Sequence, residues 1–160
     1  MSKLNVLENK SLLLKQVVKC EIHNISIYEF DRKLQLFIQR LQTMNADLFG
    51  PLVTHMKGTT FNEKGEVKAD YEIFVQANNY LDFKDEFIVM DMFRFDHCIC
   101  LRFEDHPKYF DLAHQKLQVY LYEHDLDSSG SVITVLMEES EAMIKADIFI
   151  PIVGVGYEVS

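Results

Sequence analysis

The feature that most constrains the fold is a short pattern that occurs twice. Residues 67–75 read VKADYEIFV, and residues 144–152 read IKADIFIPI; both contain Lys-Ala-Asp followed by alternating apolar residues. Such alternation is typical of a strand with one buried face. If the two stretches are equivalent, the chain contains one structural unit twice, which restricts the architecture strongly.

The predicted elements of the first half come in the order strand, helix, strand, strand. β-Branched residues at 17–28 predict a strand, and an apolar stripe at helical spacing predicts a helix over 31–46. Strands are predicted at 51–58 and 67–76, separated by a polar turn.

The second half repeats this order. Strands are predicted at 87–95 and 97–104, and Asp105, His106 and Pro107 are suited to the start of a helix that runs to about His124. The stretches SVITVLM and MIKADIFIPI predict the last two strands.

The spacing between the halves is nearly constant. Asp70 and Asp147 are 77 positions apart, and Gly50 and Gly130, each after its helix, are 80 apart. The loop between the paired strands can absorb the difference. We therefore predict a single α+β domain of tandem β-α-β-β repeats, about 16–78 and 86–152, forming an antiparallel sheet with the two main helices on one face.

Composition excludes several classes of protein. The formal net charge of −9 argues against a nucleic-acid partner, because phosphate binding needs a cationic face. Three cysteines do not form a disulfide framework. No stretch approaches the ~20 apolar residues of a membrane helix, and the N-terminus lacks the apolar core of a signal peptide. We expect a cytoplasmic protein that has no membrane contact.

One face of each repeated strand mixes charged and aromatic residues. Alternation places Asp70, Glu72 and Phe74 on one face of the first strand, and Asp147 and Phe149 on one face of the second. The opposite faces are apolar and suit a core under a helix. A mixture of acids and aromatics could bind a flat or cationic ligand. The alternative is a sheet face that is simply exposed to water.

These residues resemble the GyrI-like small-molecule-binding superfamily, which includes the AraC-type effector-binding domains. The resemblance rests on the repeated unit, on Asp70-Tyr71-Glu72 in the first half, and on Asp147-Ile148-Phe149-Ile150-Pro151-Ile152 in the second. It implies a groove between the repeats that binds hydrophobic or cationic molecules. The family's groove acid, usually Glu, corresponds to Asp147, and its aromatic residue, usually Tyr, corresponds to Phe149.

Three functions follow from this resemblance. The first is a stand-alone small-molecule-binding module whose ligand residues are Asp147, Phe149, Glu72, Asp70 and Phe74, with no DNA-binding domain. The second is a protein-interaction or accessory module, similar to uncharacterised GyrI-like proteins encoded beside type VII-secreted toxins. The third is a hydrolase of the GyrI-like type, in which Glu72 and Asp147 would form a carboxylate pair with a raised pKa.

Two other motifs are interpreted as structural. Asp96-His97-Cys98-Ile99-Cys100 resembles part of a metal site, but alternation separates His97 from the two cysteines, and no second cysteine pair exists. The stretch DLDSSGSV begins like a calcium loop, but Leu136 stands where the bidentate Glu is required. We expect no metal and no cofactor.

Overall fold

The computed structural model describes residues 4–153 and is built from β-strands and two α-helices. The strands are β1 (Val6–Ser26), β2 (Leu48–Phe61), β3 (Val67–Ala77), β4 (Ile88–Asp105), β5 (Asp127–Ser128), β6 (Val132–Glu139) and β7 (Ile144–Val153); the helices are α1 (Phe30–Thr43) and α2 (Phe110–Glu123). Short 3-10 helices precede α1 and α2. The predicted α+β class and the repeated strand–helix–strand–strand order are confirmed.

The chain divides into two compact units. The first-repeat unit is Leu13–Phe93, and the second-repeat unit joins the N-terminal segment up to Leu12 to the chain from Arg94 onward. In the first-repeat unit, β1 and β2 each pair antiparallel with β3. In the second-repeat unit, β4, β5 and β6 pair antiparallel with β7. Consequently β3 and β7 are the central strands of their units.

Each helix covers one face of its own unit's strands. Phe37 and Leu41 of α1 pack with Ile73 and Val75 of β3. In the second-repeat unit, α2 contributes Ala113, Leu117 and Leu121 to a core that includes Ile148 and Ile150 of β7. The predicted apolar faces of both repeated strands are therefore the faces that lie under the helices.

The two Lys-Ala-Asp stretches are not at equivalent positions, which corrects the predicted spacing. Val53 pairs with Phe74 in the first repeat, and Ile133 pairs with Phe149 in the second. Val53 and Ile133 are 80 positions apart, which is also the spacing between the two helices. Their partners Phe74 and Phe149 are only 75 positions apart. The same registers make Glu72 equivalent to Asp147. Because side chains alternate with period two, a match displaced by two residues preserves the face and looks equally good in the sequence.

Two predicted strand boundaries were wrong. β1 begins at Val6 instead of residue 17, and β4 is one strand instead of two. Asn9, Gln16 and His97 lie within these strands at φ of 56°, 53° and 57°. A residue at positive φ inside a strand marks a bulge, which breaks the apolar alternation without ending the strand.

Neither α-helix could cross a membrane. Each has 14 residues, and within residues 4–153 no helix is long and apolar enough to span a bilayer. The cytoplasmic location stays a prediction.

Candidate functional site

The predicted site residues have different surroundings within their units. Asp147 and Phe149 line one hollow in the second-repeat unit. Glu72 lies in a buried charged cluster of the first-repeat unit. The carboxylate of Asp70 bonds to the backbone of β1, and Phe74 is fully buried.

The hollow beside β7, called the β7 hollow here, has a volume of about 380 Å³. Its lining combines apolar and charged side chains from β1, β4 and β7: Leu7, Lys10, Cys100, Arg102, Asp147 and Phe149. The β4 and β7 residues project from the face opposite α2, because they alternate with the core residues of those strands. The volume falls within the range of small-molecule sites.

The acid of the β7 hollow is paired with an arginine. Arg102 and Asp147 are opposite each other on β4 and β7. The Arg102 Nε and Nη2 atoms donate to the two Asp147 oxygens at 2.6 and 2.9 Å. The side chain of Asp147 is 18% exposed and that of Arg102 is 55% exposed. Its hydrogen bonds to Asp147 raise the pKa of Arg102, so the guanidinium keeps its charge.

The floor of the β7 hollow is apolar and uncharged. Cys100 and Phe149 are buried and lie opposite each other on β4 and β7. Burial, reinforced by the negative charge of Asp147, raises the pKa of the Cys100 thiol to about 12. The thiol is therefore protonated at neutral pH, and the floor can accept an apolar molecule.

The Glu72 cluster consists of Glu72, His55, Lys19 and Lys57. The Glu72 carboxylate, only 8% exposed, accepts from Lys19 Nζ at 3.0 Å and contacts His55 Nδ1 at 2.9 Å. Lys57 Nζ lies 3.7 Å away. Three strands supply these residues, because β1, β3 and β2 lie side by side.

Protonation in this cluster follows from its contacts. Burial acts to raise the pKa of Glu72, but hydrogen bonds from His55 and Lys19 outweigh it, and the net pKa is lowered. Burial lowers the pKa of His55. A neutral His55 therefore donates its Nδ1–H to an ionised Glu72. The lowered pKa is opposite to the raised pKa expected of a carboxylate pair.

Asp70 and Phe74 have structural contacts. Asp70 Oδ1 accepts the backbone N–H of Asn24 at 2.7 Å, where Asn24 has a φ of 53° in the bulge of β1. Its side chain is 51% exposed. Phe74 packs against Phe93, with ring centroids 4.9 Å apart.

The corrected register shows that the two acids occupy one position of the repeat. Glu72 and Asp147 are equivalent, and so are Phe74 and Phe149. The acids are neutralised differently: Glu72 by Lys19 and Asp147 by Arg102. Sequence reasoning missed all of the basic partners, because only the non-local pairing of strands places them beside the acids. The alternating pattern of residues 97–104 does place Arg102 on the same face as Cys100. It does not show which residue of β7 lies opposite Arg102.

The two motifs interpreted as structural differ in position: Cys100 of the first lines the β7 hollow, whereas the second lies in the turn after α2. His97 is exposed, whereas Cys98 is buried, which raises the pKa of its thiol to about 11. Among residues 4–153, no group of three or more His, Cys, Asp or Glu is placed to hold a metal ion. Asp125 and Gly130 have positive φ in the turn after α2.

Comparison with solved structures finds the same fold elsewhere. The chain shares the fold of the EcmrR C-terminal domain. The crystal structure of that domain matches with a TM-score of 0.65 and 11% identity, over 96% of this chain and 98% of the other. A hydrolase from Listeria innocua matches with a TM-score of 0.52 and 10% identity, over 94% and 92% of the two chains. SAV2435 bound to tetraphenylphosphonium matches with a TM-score of 0.47 and 15% identity, over 98% of each chain.

The first two matches show that other proteins share this arrangement of strands and helices. At such identities they concern the fold alone. No family model matches the sequence, and no curated protein matches it at significant similarity.

Proposed function

We propose that the protein is a small-molecule-binding module of the GyrI-like kind, and that the β7 hollow is part of its ligand site. The observation that carries this proposal is the Arg102–Asp147 pair at the edge of an apolar hollow of about 380 Å³. Such sites join an apolar floor to a few placed polar groups that orient the ligand.

The charges of the β7 hollow favour a hydrophobic ligand over a cationic one. Phe149 and Cys100 offer an apolar floor, whereas Arg102 already occupies the carboxylate of Asp147. Lys10 adds a second positive charge to the lining. A cationic ligand must therefore share Asp147 with Arg102, but a neutral aromatic molecule meets no such competition.

The test compares phenyltrimethylammonium with tert-butylbenzene, which has nearly the same shape without the charge. By calorimetry or NMR titration, we expect the wild type to bind the neutral compound at least as tightly as the cation. R102M should strengthen cation binding about tenfold, because it frees a partly buried carboxylate. It should change binding of tert-butylbenzene less than twofold.

The double variant R102M/D147N is the matched control. It should lose the increase in cation binding that R102M shows. Failure of the wild type and of R102M to bind either compound would contradict the proposed site. So would binding that is the same in F149L as in the wild type.

Glu72, Phe74 and Asp70 stay predicted ligand residues, and E72Q tests the first of them by the same titration. We propose binding instead of catalysis, because the hydrolase hypothesis requires a carboxylate with a raised pKa, whereas the pKa of Glu72 is lowered by its neighbours. A hydrolase would lose turnover of an ester substrate in E72Q and D147N. An accessory module would bind neither probe and would instead retain a protein partner.

A further inference from the structure

A second hollow, called the α1 hollow here, lies in the first-repeat unit on the side of the strands that α1 covers. Its volume is about 480 Å³. Its lining includes Cys20 and Ile22 of β1, Lys33, Phe37 and Arg40 of α1, and Phe87 before β4. It shares no residue with the β7 hollow or with the groove implied by the family resemblance.

The α1 hollow is lined by smaller strand residues than the same place in the second repeat. The strand registers make Cys20 equivalent to Leu101 and Ile22 equivalent to Phe103. Leu101 and Phe103 are fully buried in the core beneath α2. Because protein interiors are close-packed, Cys and Ile at these positions leave space that the larger side chains would fill.

The α1 hollow also contains a lysine at a sheet-facing position. Lys33 on α1 is 80 positions before Ala113 on α2, the same spacing as the two helices. Ala113 is fully buried against the strands. Lys33 therefore extends from a position that faces the core in the second repeat, and it lines the α1 hollow.

The ammonium group of Lys33 lacks an acidic partner in the part of the chain that the structure describes. No Asp or Glu oxygen of residues 4–153 forms an ion pair with it. By contrast, Arg40 bonds to both oxygens of Glu86 at 2.9 and 3.0 Å. Glu21, which also lines the hollow, bonds to Lys19 at 3.2 Å. Lys33 is thus the cation available to a bound anion.

The lining of the hollow follows β1 from Cys20 to Ile25 and α1 from Lys33 to Arg40. It combines apolar side chains with one lysine that has no acidic partner among residues 4–153, which suits a chain-like molecule with a negative end. We propose that the α1 hollow binds a linear aliphatic carboxylate, with its chain against Cys20, Ile22, Phe37 and Phe87 and its carboxylate beside Lys33.

Decanoate and 1-decanol are the probes, since they differ only in the charged end. Calorimetry on the full chain should detect saturable decanoate binding at a single site. C20L/I22F introduces the residues that the second repeat has at the equivalent positions. The affinity for decanoate should then fall at least about tenfold, because the larger side chains fill the α1 hollow. K33Q should weaken the binding of decanoate about tenfold and the binding of decanol less than twofold.

A second readout is alkylation of Cys20 by iodoacetamide, followed by mass spectrometry. Cys20 is half-buried, whereas Cys98 and Cys100 are buried, so decanoate should slow the modification of Cys20 in particular. F149L, in the β7 hollow, is the control and should bind decanoate as the wild type does. An unchanged melting temperature of C20L/I22F shows that lost binding is not lost folding.

The proposal is overturned if decanoate neither binds nor protects Cys20, if C20L/I22F binds it as the wild type does, or if K33Q weakens decanoate and decanol equally. Loss of decanoate binding in F149L would place the carboxylate in the β7 hollow instead. Binding at the α1 hollow is independent of the proposed function of the β7 hollow, so either proposal can fail alone.

Discussion

A nearly buried carboxylate must be matched by nearby cations, and Glu72 is the clearest case in the chain. Removing its charge leaves Lys19, whose side chain is 12% exposed, without its main partner. We expect E72Q to lower the free energy of unfolding by about 2 to 3 kcal/mol, the amount typical of a lost hydrogen bond between charged groups. Urea denaturation followed by circular dichroism measures this change.

D70N is the matched control for E72Q, two positions earlier on the same strand. Asp70 is half exposed, and Asn keeps an oxygen that can accept the N–H of Asn24. Its expected cost is below about 0.5 kcal/mol. Equal destabilisation by D70N and E72Q would show that the Glu72 cluster does not stabilise the fold.

The first glycine after each helix offers a matched comparison between the repeats. Gly50 and Gly130 are equivalent and have φ of 72° and 87°, a region that costs other residues about 1 kcal/mol. A Cβ at Gly50 would clash with Gln76 Nε2, whereas nothing lies within 4 Å of one at Gly130. Gln76 also accepts the backbone N–H of Lys15.

G130A should therefore destabilise the protein by about 1 kcal/mol, from backbone strain alone. G50A should cost about 1 kcal/mol more, because Gln76 must move and weaken its bond to Lys15. Chemical denaturation of the two variants side by side measures the difference. A larger loss in G130A than in G50A would refute this account of the contact between Gly50 and Gln76.

The helices were predictable because their periodicity is local. The helix predicted over 31–46 is α1, Phe30–Thr43, preceded by a 3-10 turn that the spacing does not encode. The alignment of the repeats was not predictable from Lys-Ala-Asp, since a two-residue displacement keeps every side chain on its face. The sequence also identified Asp147 and Phe149 as neighbours on a strand. It did not identify Arg102, because the pairing of β4 with β7 joins residues 45 positions apart.

The chain as a whole uses one backbone pattern twice and fills it differently. The first repeat has a hollow beneath its helix and a charged cluster on the opposite face of its strands. In the second repeat, Leu101 and Phe103 fill the position that corresponds to the α1 hollow. The β7 hollow lies on the opposite face of those strands. Repetition therefore predicts the architecture, but divergence at a few positions decides where the hollows form.

The global stability should depend on pH through His55. Its folded pKa is lowered below the usual 6.5, chiefly by burial, so the unfolded chain takes up the proton first as the pH falls. The free energy of unfolding should therefore decrease as the pH falls below about 6.5. Glu72, whose folded pKa is lowered below 4.5, adds a further loss only at more acidic pH. Denaturation midpoints between pH 7.5 and 5.5 isolate the His55 contribution.

H55Q should flatten this dependence, because Gln donates a hydrogen bond to Glu72 but does not titrate. H23Q is the control: His23 is 64% exposed, and the slope should stay that of the wild type. Protonation of His55 is resisted by its burial and by the charges of Lys19 and Lys57, and is assisted by Glu72. A wild-type slope in H55Q would contradict this prediction, because it would mean that unfolding does not change the protonation of His55 and that the slope comes from other groups.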